Sequence, residues 1–259
     1  MKTSNRLLIA YISFIMVGIL SFLVVARMNA EVATPRQSAH SDDHPLQGNG
    51  RLGLDTRTMP AFEGIALHSN MDVELTRTAG PLEIEAEDNI FTQIVTVVDK
   101  GRLHIHWAQG RWVNTTLPIK IKVPFETLSF IALNDNGFIH LSDTLQNDSL
   151  KIFSRGNGDM LLEHLAVDHL LTQIEGNGDI EIGGQAAQLQ LKIYGSGDLS
   201  APALQVQEAD IHSEGRGGAR IQVEQRIDAA IKGSGHVKFT GPAKMNVSKG
   251  GSGRVIRLD

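Results

Sequence analysis

Short alternations of apolar and polar residues recur along the chain from about residue 60 onward. An apolar residue at every second position is typical of a half-buried β-strand. No segment after residue 30 keeps a 3.6-residue period with helix caps, so the pattern predicts strands and almost no helix there. The clearest early alternations lie at 62–67, 70–75, 82–86, 103–107 and 119–124.

A glycine-rich tetrapeptide interrupts the alternation at nearly constant intervals. Gly-Asn-Gly-Asp at 156–159 returns at 176–179, and Gly-Ser-Gly-Asp follows at 195–198. Degenerate copies occupy 135–138, 215–218, 233–236 and 251–254, and the steps between copies are 18 to 21 residues. Glycine at such a place indicates a sharp corner, where the backbone takes a positive φ or approaches another backbone closely. The corner glycines are Gly156, Gly158, Gly176, Gly178, Gly195, Gly197, Gly233, Gly235, Gly251 and Gly253.

Apolar columns flank these corners at fixed distances. One column lies two residues after the second glycine of each tetrapeptide from 156–159 onward, and its members are Met160, Ile180, Leu199, Ala219, Val237 and Val255. The period is too short for a propeller blade and lacks the leucine and asparagine pattern of leucine-rich repeats. It fits one coil of a parallel β-helix, in which coils stack about 4.8 Å apart. The sequence therefore predicts an all-β solenoid with coils of about 18–21 residues. We interpret 60–133 as its early, less regular coils, with a separate β-sandwich cap as the alternative.

Composition supports this interpretation and excludes several classes of protein. Of the 26 glycines, 18 lie in 134–259, so the glycine excess belongs to the repeat. Aromatic residues make up only 5% of the chain, as a narrow aliphatic interior requires. The absence of cysteine excludes a disulfide scaffold, a thiolate metal site and a cysteine nucleophile. The net charge of −5 argues against a nucleic-acid binder.

The N-terminal segment has the features of a membrane anchor or an export signal. Lys2 and Arg6 precede an uncharged run at 7–26, which is long enough as a helix to cross a bilayer core of about 30 Å. We predict that 1–30 is a membrane anchor, with a cleaved signal peptide as the alternative. The basic start places everything after it outside the cytoplasm, either anchored to the inner membrane and facing the periplasm, or released to the periplasm or cell surface. We interpret 31–58 as a flexible linker and 59–259 as the solenoid domain.

Several motifs resemble those of a known family. Phe62, Gly64, Ile65 and Asn70 lie in the first strand block, 119–124 ends in a strand-to-proline step, and the glycine corners follow. Together they resemble the head GIN domain family, described as a "putative autotransporter adhesin head", over about 59–258. The resemblance implies a right-handed parallel β-helix outside the cytoplasm and no established catalytic residues. The chain departs from the family pattern at 215–218, 236 and 254.

One candidate binding patch and one candidate metal column emerge. Trp107, Arg111 and Trp112 share a short loop, so they predict a patch that binds a protein or a glycan; packing of tryptophan over the solenoid end is the alternative. Asp159, Asp179 and Asp198 are expected to stack, either around calcium or, as we favour, each bonded to the backbone of its own turn.

Two further groups of polar residues stand at regular positions in the sequence. Asn134, Asn157 and Asn177 are expected to form a partial side-chain ladder. His104 and His106 face one side of a strand, where two of the ligands of a zinc or copper site could stand; solvated strand histidines are the favoured interpretation.

No motif for nucleotide binding, hydrolysis or metal chemistry accompanies these residues. We therefore predict a non-enzymatic, adhesin-like domain without cofactors. Its expected partners are a protein or glycan at the cell envelope, and the membrane through the N-terminal segment; a homo-oligomer is left open. A structural solenoid of the envelope and a carbohydrate-active β-helix enzyme are the alternatives.

Overall fold

The computed structural model describes residues 45–109 and 112–258, and Pro45–Asp259 form one compact unit. Within the described residues, strands dominate and the helical content is one 3-10 helix, Asp88–Gln93. No helix there is long and apolar enough to cross a membrane, and the predicted anchor at 1–30 lies outside the described residues. The strands are β1 (Leu46–Gln47), β2 (Leu52–Arg57), β3 (Gly64–His68), β4 (Asp72–Thr76), β5 (Leu82–Glu87), β6 (Ile94–Asp99), β7 (Arg102–Trp107), β8 (Val113–Asn114), β9 (Lys120–Pro124), β10 (Phe130–Leu133), β11 (Phe138–Leu141), β12 (Leu145–Ser154), β13 (Asp159–Ile174), β14 (Ile180–Ile193), β15 (Leu199–Ser213), β16 (Ala219–Ile231), β17 (Val237–Thr240), β18 (Lys244–Lys249) and β19 (Val255–Arg257).

From β10 onward the chain is a β-solenoid whose strands stack parallel and in register. Ile180 pairs with Leu199 and Ile193 with Ser213, so each coil lies directly over the last. The predicted apolar column after each corner is confirmed, because its six members are register partners from β13 to β19. Its first five members are buried, and removing such side chains from water stabilises the fold by about 1.5–3 kcal/mol for each large one.

The central coils are built from single long strands. Each of β13, β14, β15 and β16 is unbroken, and β14 runs through Gly183 and Gly184. Gly184 has a φ of 114°, a value that side chains disfavour, and there the strand bends. In these coils one long strand therefore covers the distance between two glycine corners, whereas the coils before and after them are each divided into two strands.

The early coils stack in an order that differs from their order in the chain. β3 pairs in parallel with both β7 and β10, and β4 pairs with both β9 and β11. The coil made by β7 and β9 therefore lies outside the coil made by β3 and β4, although it comes later in sequence. The interpretation of 60–133 as solenoid coils holds for these four strands.

The outer end of the stack is closed by antiparallel strands. β6 pairs with β7, β5 with β9, and β2 with β5. Arg57 bridges the closed end: its guanidinium donates to the carbonyl oxygens of Phe91 at 2.9 Å and Ile94 at 2.7 Å, and to Asp55 at 2.8 Å. The antiparallel strands belong to the same sheet and the same compact unit as the parallel coils, so they do not form the separate β-sandwich cap that was the alternative.

The predicted linker needs a correction. Residues 45–58 were assigned to a flexible tether, but β1 and β2 lie there and pair with β8 and β5. The segment is short and rich in glycine, which hid its alternation, and its strand character comes from neighbours that are distant in sequence. The remaining linker residues lie outside the described part of the chain.

Candidate binding surface

The loop between β7 and β9 presents Trp112 to solvent. Its side chain is 87% exposed, which is exceptional for tryptophan. The backbone beneath it is fixed, because the Trp112 carbonyl oxygen accepts the N–H of Leu46 at 2.8 Å and β8 pairs in parallel with β1. Arg111, the middle residue of the predicted patch, lies outside the described residues.

Trp107 has a different role from Trp112. It is partly buried against the core, and its Nε1 donates to Oδ1 of Asn70 at 3.0 Å. A cavity of about 150 Å³ lies beside it, between the loop and the turn that joins β3 to β4. The structure therefore places one tryptophan of the predicted patch in the packing next to this turn and the other on the surface.

Glu87 holds this loop in place, and sequence reasoning missed it. The carboxylate is buried at the end of β5, and it accepts hydrogen bonds from the Thr116 hydroxyl at 2.6 Å, the Thr116 N–H at 3.0 Å and the Gly50 N–H at 2.7 Å. The hydrogen bond from the Thr116 hydroxyl, with help from these backbone N–H groups, lowers the pKa of Glu87 against the opposing effect of burial. One ionised side chain thus joins the segment before β2 to the segment after Trp112.

Acid is expected to weaken this junction. Because the pKa of Glu87 is lower in the folded chain than in the unfolded one, its ionisation favours folding. That contribution is complete above the usual glutamate pKa of about 4.3 and is lost as the pH falls through the lowered value. In thermal unfolding at a series of pH values, the wild-type chain should lose its advantage over Glu87→Gln as the pH falls. The exposed Glu126→Gln is the control, and equal pH profiles for all three chains would contradict this role.

A face of histidine and aromatic side chains covers the outer side of β3, β7 and β10. Nε2 of His68 lies 3.2 Å from Nδ1 of His104, and Arg102 lies 3.9 Å above the Phe130 ring. Burial, followed by the neighbouring His104 and His106, lowers the pKa of His68. Across 45–109 and 112–258, no three histidine or acidic side chains are grouped so that they could hold a metal ion.

The family-motif residues of the first strand block lie just before β3, in β3 and in the turn that joins β3 to β4. Ile65 is buried, and Phe62 packs against the core. Gly64 makes room beneath the Arg102–Phe130 pair, since a Cβ there would lie 3.1 Å from each of those side chains. Asn70 accepts the indole hydrogen bond of Trp107. These positions therefore have structural roles in the described chain.

The aspartate column forms, but with different bonds from those expected. The N–H of Asp179 donates to Oδ1 of Asp159 at 2.7 Å, and the N–H of Asp198 donates to Oδ1 of Asp179 at 2.8 Å. Asp198 in turn accepts the N–H of Gly218. Each carboxylate therefore binds the corner of the next coil and not its own turn. Calcium binding by the column stays the alternative hypothesis.

The asparagine ladder runs beside this column. Nδ2 of Asn177 donates to Oδ1 of Asn157 at 2.8 Å, and Nδ2 of Asn157 donates to Oδ1 of Asn136 at 2.8 Å. Asn134, which we assigned to the ladder from the sequence, lies instead 3.4 Å from Nδ1 of His68. Both columns tie successive corners together.

Comparison with known proteins agrees with this architecture. The family model described as "Putative auto-transporter adhesin, head GIN domain" matches residues 61–243. No curated protein matches the chain. A putative adhesin from Bacteroides fragilis NCTC 9343 is 26% identical, with a TM-score of 0.76 over 82% of this chain and 100% of its own.

Two further solved structures share the fold at lower identity. A putative lipid binding protein from Parabacteroides distasonis ATCC 8503 is 21% identical, with a TM-score of 0.70 over 83% of this chain and 100% of its own. A putative adhesin from Parabacteroides merdae ATCC 43184 is 20% identical, with a TM-score of 0.64 over 83% of this chain and 99% of its own.

Proposed function

Because the chain belongs to the head GIN domain family, we propose that it is a non-enzymatic, extracytoplasmic solenoid that binds a partner at the cell envelope. The family description and the adhesin name of the Bacteroides structure support an adhesin-like role. The solenoid gives that role a rigid body. The proposal includes a right-handed coil, an N-terminal anchor or signal at 1–30, and export of the domain that follows.

One observation carries the choice of contact site, namely the 87% exposure of Trp112 on a loop whose backbone is paired. Because the backbone that carries this indole is already paired, little backbone has to be ordered when the side chain meets a partner, and tryptophan is among the residues that contribute most to binding interfaces. We propose that Trp112, together with its chain neighbour Arg111, contacts a glycan or a protein of the envelope. Trp107, the last residue of β7 before this loop, is held by its bond to Asn70 in the turn that joins β3 to β4.

Replacing Trp112 with alanine tests the site. We expect Trp112→Ala to weaken binding to a glycan array, or to purified envelope proteins, by at least about tenfold, with no change in the unfolding midpoint. Tyr194→Ala is the matched control, because that aromatic side chain is also exposed, at 44%, but lies on a later coil. If the two variants bind equally well, Trp112 is not the contact.

A role in end-to-end assembly is the second candidate, and enzymatic cleavage of carbohydrate is the third. The solenoid has an unpaired strand edge at its C-terminal end. Lys249 and Arg257 there stand in register with buried residues of the preceding coil, which disfavours the addition of another copy. Sedimentation of the full chain at increasing concentration tests assembly. Release of sugar by the wild-type chain that a single carboxylate substitution abolishes would support the enzymatic function.

A further inference from the structure

The basic residues of the solenoid are concentrated at its C-terminal end. Residues 125–231 contain sixteen acidic and six basic residues. After Asp228, the next acidic residue is the final one, Asp259. Between them lie Lys232, Lys238, Lys244, Lys249, Arg254 and Arg257, all exposed. The net charge of −5 for the whole chain therefore conceals a basic end on an acidic body.

The strands of this basic end also carry apolar side chains that the coil leaves partly uncovered. Met245 pairs with the fully buried Ile227 of the preceding coil, so it occupies an interior position, yet it is 51% exposed. Val255 takes the interior position next to Val237 and is partly buried. Among the described residues, β18 pairs only with β16 and β19 only with β17, so both strands have one unpaired side. The last coils of the solenoid thus combine incompletely covered apolar side chains with exposed cations.

The same coil is unsuited to pairing with another strand. Lys249 stands in register with the buried Ile231, and Arg257 with the buried Phe239. Charged side chains at inward positions are a recognised protection of sheet edges against further strand addition, because stacking another coil would bury them. A second copy of the chain is therefore a poor occupant of this end. A soluble polyanion would neutralise the cations but leave Met245 in water.

We propose that the C-terminal end docks on a bilayer surface that carries anionic phospholipid headgroups. The exposed lysines and arginines meet the phosphate groups, and Met245 with its apolar neighbours lies at the boundary between headgroups and acyl chains. Binding of this kind depends on salt and requires no strand pairing. The membrane contact involves β18 and β19, whereas the partner contact involves Trp112 in the loop between β7 and β9. Failure of one proposal therefore leaves the other intact.

The absence of cysteine makes a direct test available. Met245→Cys in the full chain can carry one environment-sensitive fluorophore. We expect a blue shift on phosphatidylcholine vesicles containing about one third phosphatidylglycerol, no shift on pure phosphatidylcholine, and reversal of the shift by salt. The same label on Val97→Cys, at the capped end and 44% exposed, should not shift. Because both labelled chains keep the N-terminal segment, its own affinity for membranes is the same in each.

Charge variants complete the test. The triple change Lys238→Gln, Lys244→Gln and Lys249→Gln should lower the affinity for anionic vesicles roughly a hundredfold, since each cation near the surface contributes a factor of about five to that affinity. The triple change Lys100→Gln, Lys120→Gln and Lys151→Gln removes equal charge elsewhere and should leave the response intact. Equal shifts on both vesicle types, equal shifts at both labelled positions, or equal effects of the two triples would overturn the proposal. A shift without vesicles that grows with protein concentration would assign the end to a second copy instead.

Discussion

Replacement of Gly178 by alanine is expected to lower the free energy of unfolding by about 3 kcal/mol. The added Cβ would lie 1.9 Å from the carbonyl oxygen of Gly158 in the preceding coil. Both atoms belong to or adjoin the backbone, so no rotamer change relieves the contact. The corner must therefore move away from its neighbour, and the bonds of Asn177 and Asp179 to the previous corner weaken with it.

The matched control for this substitution is Gly80→Ala. No heavy atom lies within 4 Å of a Cβ built at Gly80. Its φ is not positive, so alanine should be neutral or stabilise the chain by about 0.4–1 kcal/mol through the unfolded state. Urea unfolding followed by circular dichroism gives both midpoints. Equal midpoints for the two variants would show that the corners have more freedom than their close backbone contacts imply.

The second large effect is expected at Phe239, an aromatic side chain in the otherwise aliphatic interior of the last coils. It is fully buried, and the Arg257 guanidinium lies 5.1 Å from the centre of its ring. Phe239→Ala should cost about 4 kcal/mol, because it removes the ring and leaves a cavity. In a stack where each coil contacts only its neighbours, this loss should appear first in the C-terminal coils.

Hydrogen exchange can locate the effect of Phe239→Ala. Amides of β17, β18 and β19 should exchange faster in the variant, while amides of β13 and β14 keep their protection. Phe138→Ala is the control, since that ring is 36% exposed on the outer surface. Uniformly faster exchange over the whole solenoid would mean that the coils unfold as a single unit.

The repetitive half of the fold could be predicted in detail from the sequence. The position of every corner, the interior columns and the parallel stacking follow from one geometric requirement, since identical coils must place identical residues at identical positions. The members of the column led by Met160 are register partners, as predicted. The near absence of helix holds for the described residues.

The capped end could not be predicted in the same way. The apolar and polar alternation shows that 82–86 and 103–107 are strands. The same alternation would arise next to a parallel or an antiparallel partner, so it does not determine which strand pairs with which. Only the three-dimensional arrangement shows that β7 stacks outside β3 and that β5 turns back against β9. Local repetition, which fixed the order of the later coils, is missing from this part of the chain.

The candidate site illustrates a similar limit. Trp112 stands out in the sequence because tryptophan is scarce, with two in the chain. Glu87 has no such signal: it is one acidic residue in an ordinary alternating strand, and its importance comes from donors at Gly50 and Thr116 that are distant in sequence. The same holds for Asp159, whose partner is 20 residues away in the next coil and not in its own turn.

The bonds between corners have a consequence for how such chains evolve. Each aspartate in the column accepts an N–H from an equivalent position one coil later, so a whole coil can be duplicated or lost without leaving a donor or acceptor unmatched. If 160–179 were deleted, Asp159 would meet Asp198 as it now meets Asp179. Gene duplication can therefore set the distance between the capped end and the basic end in whole-coil steps, while both ends keep their own surfaces.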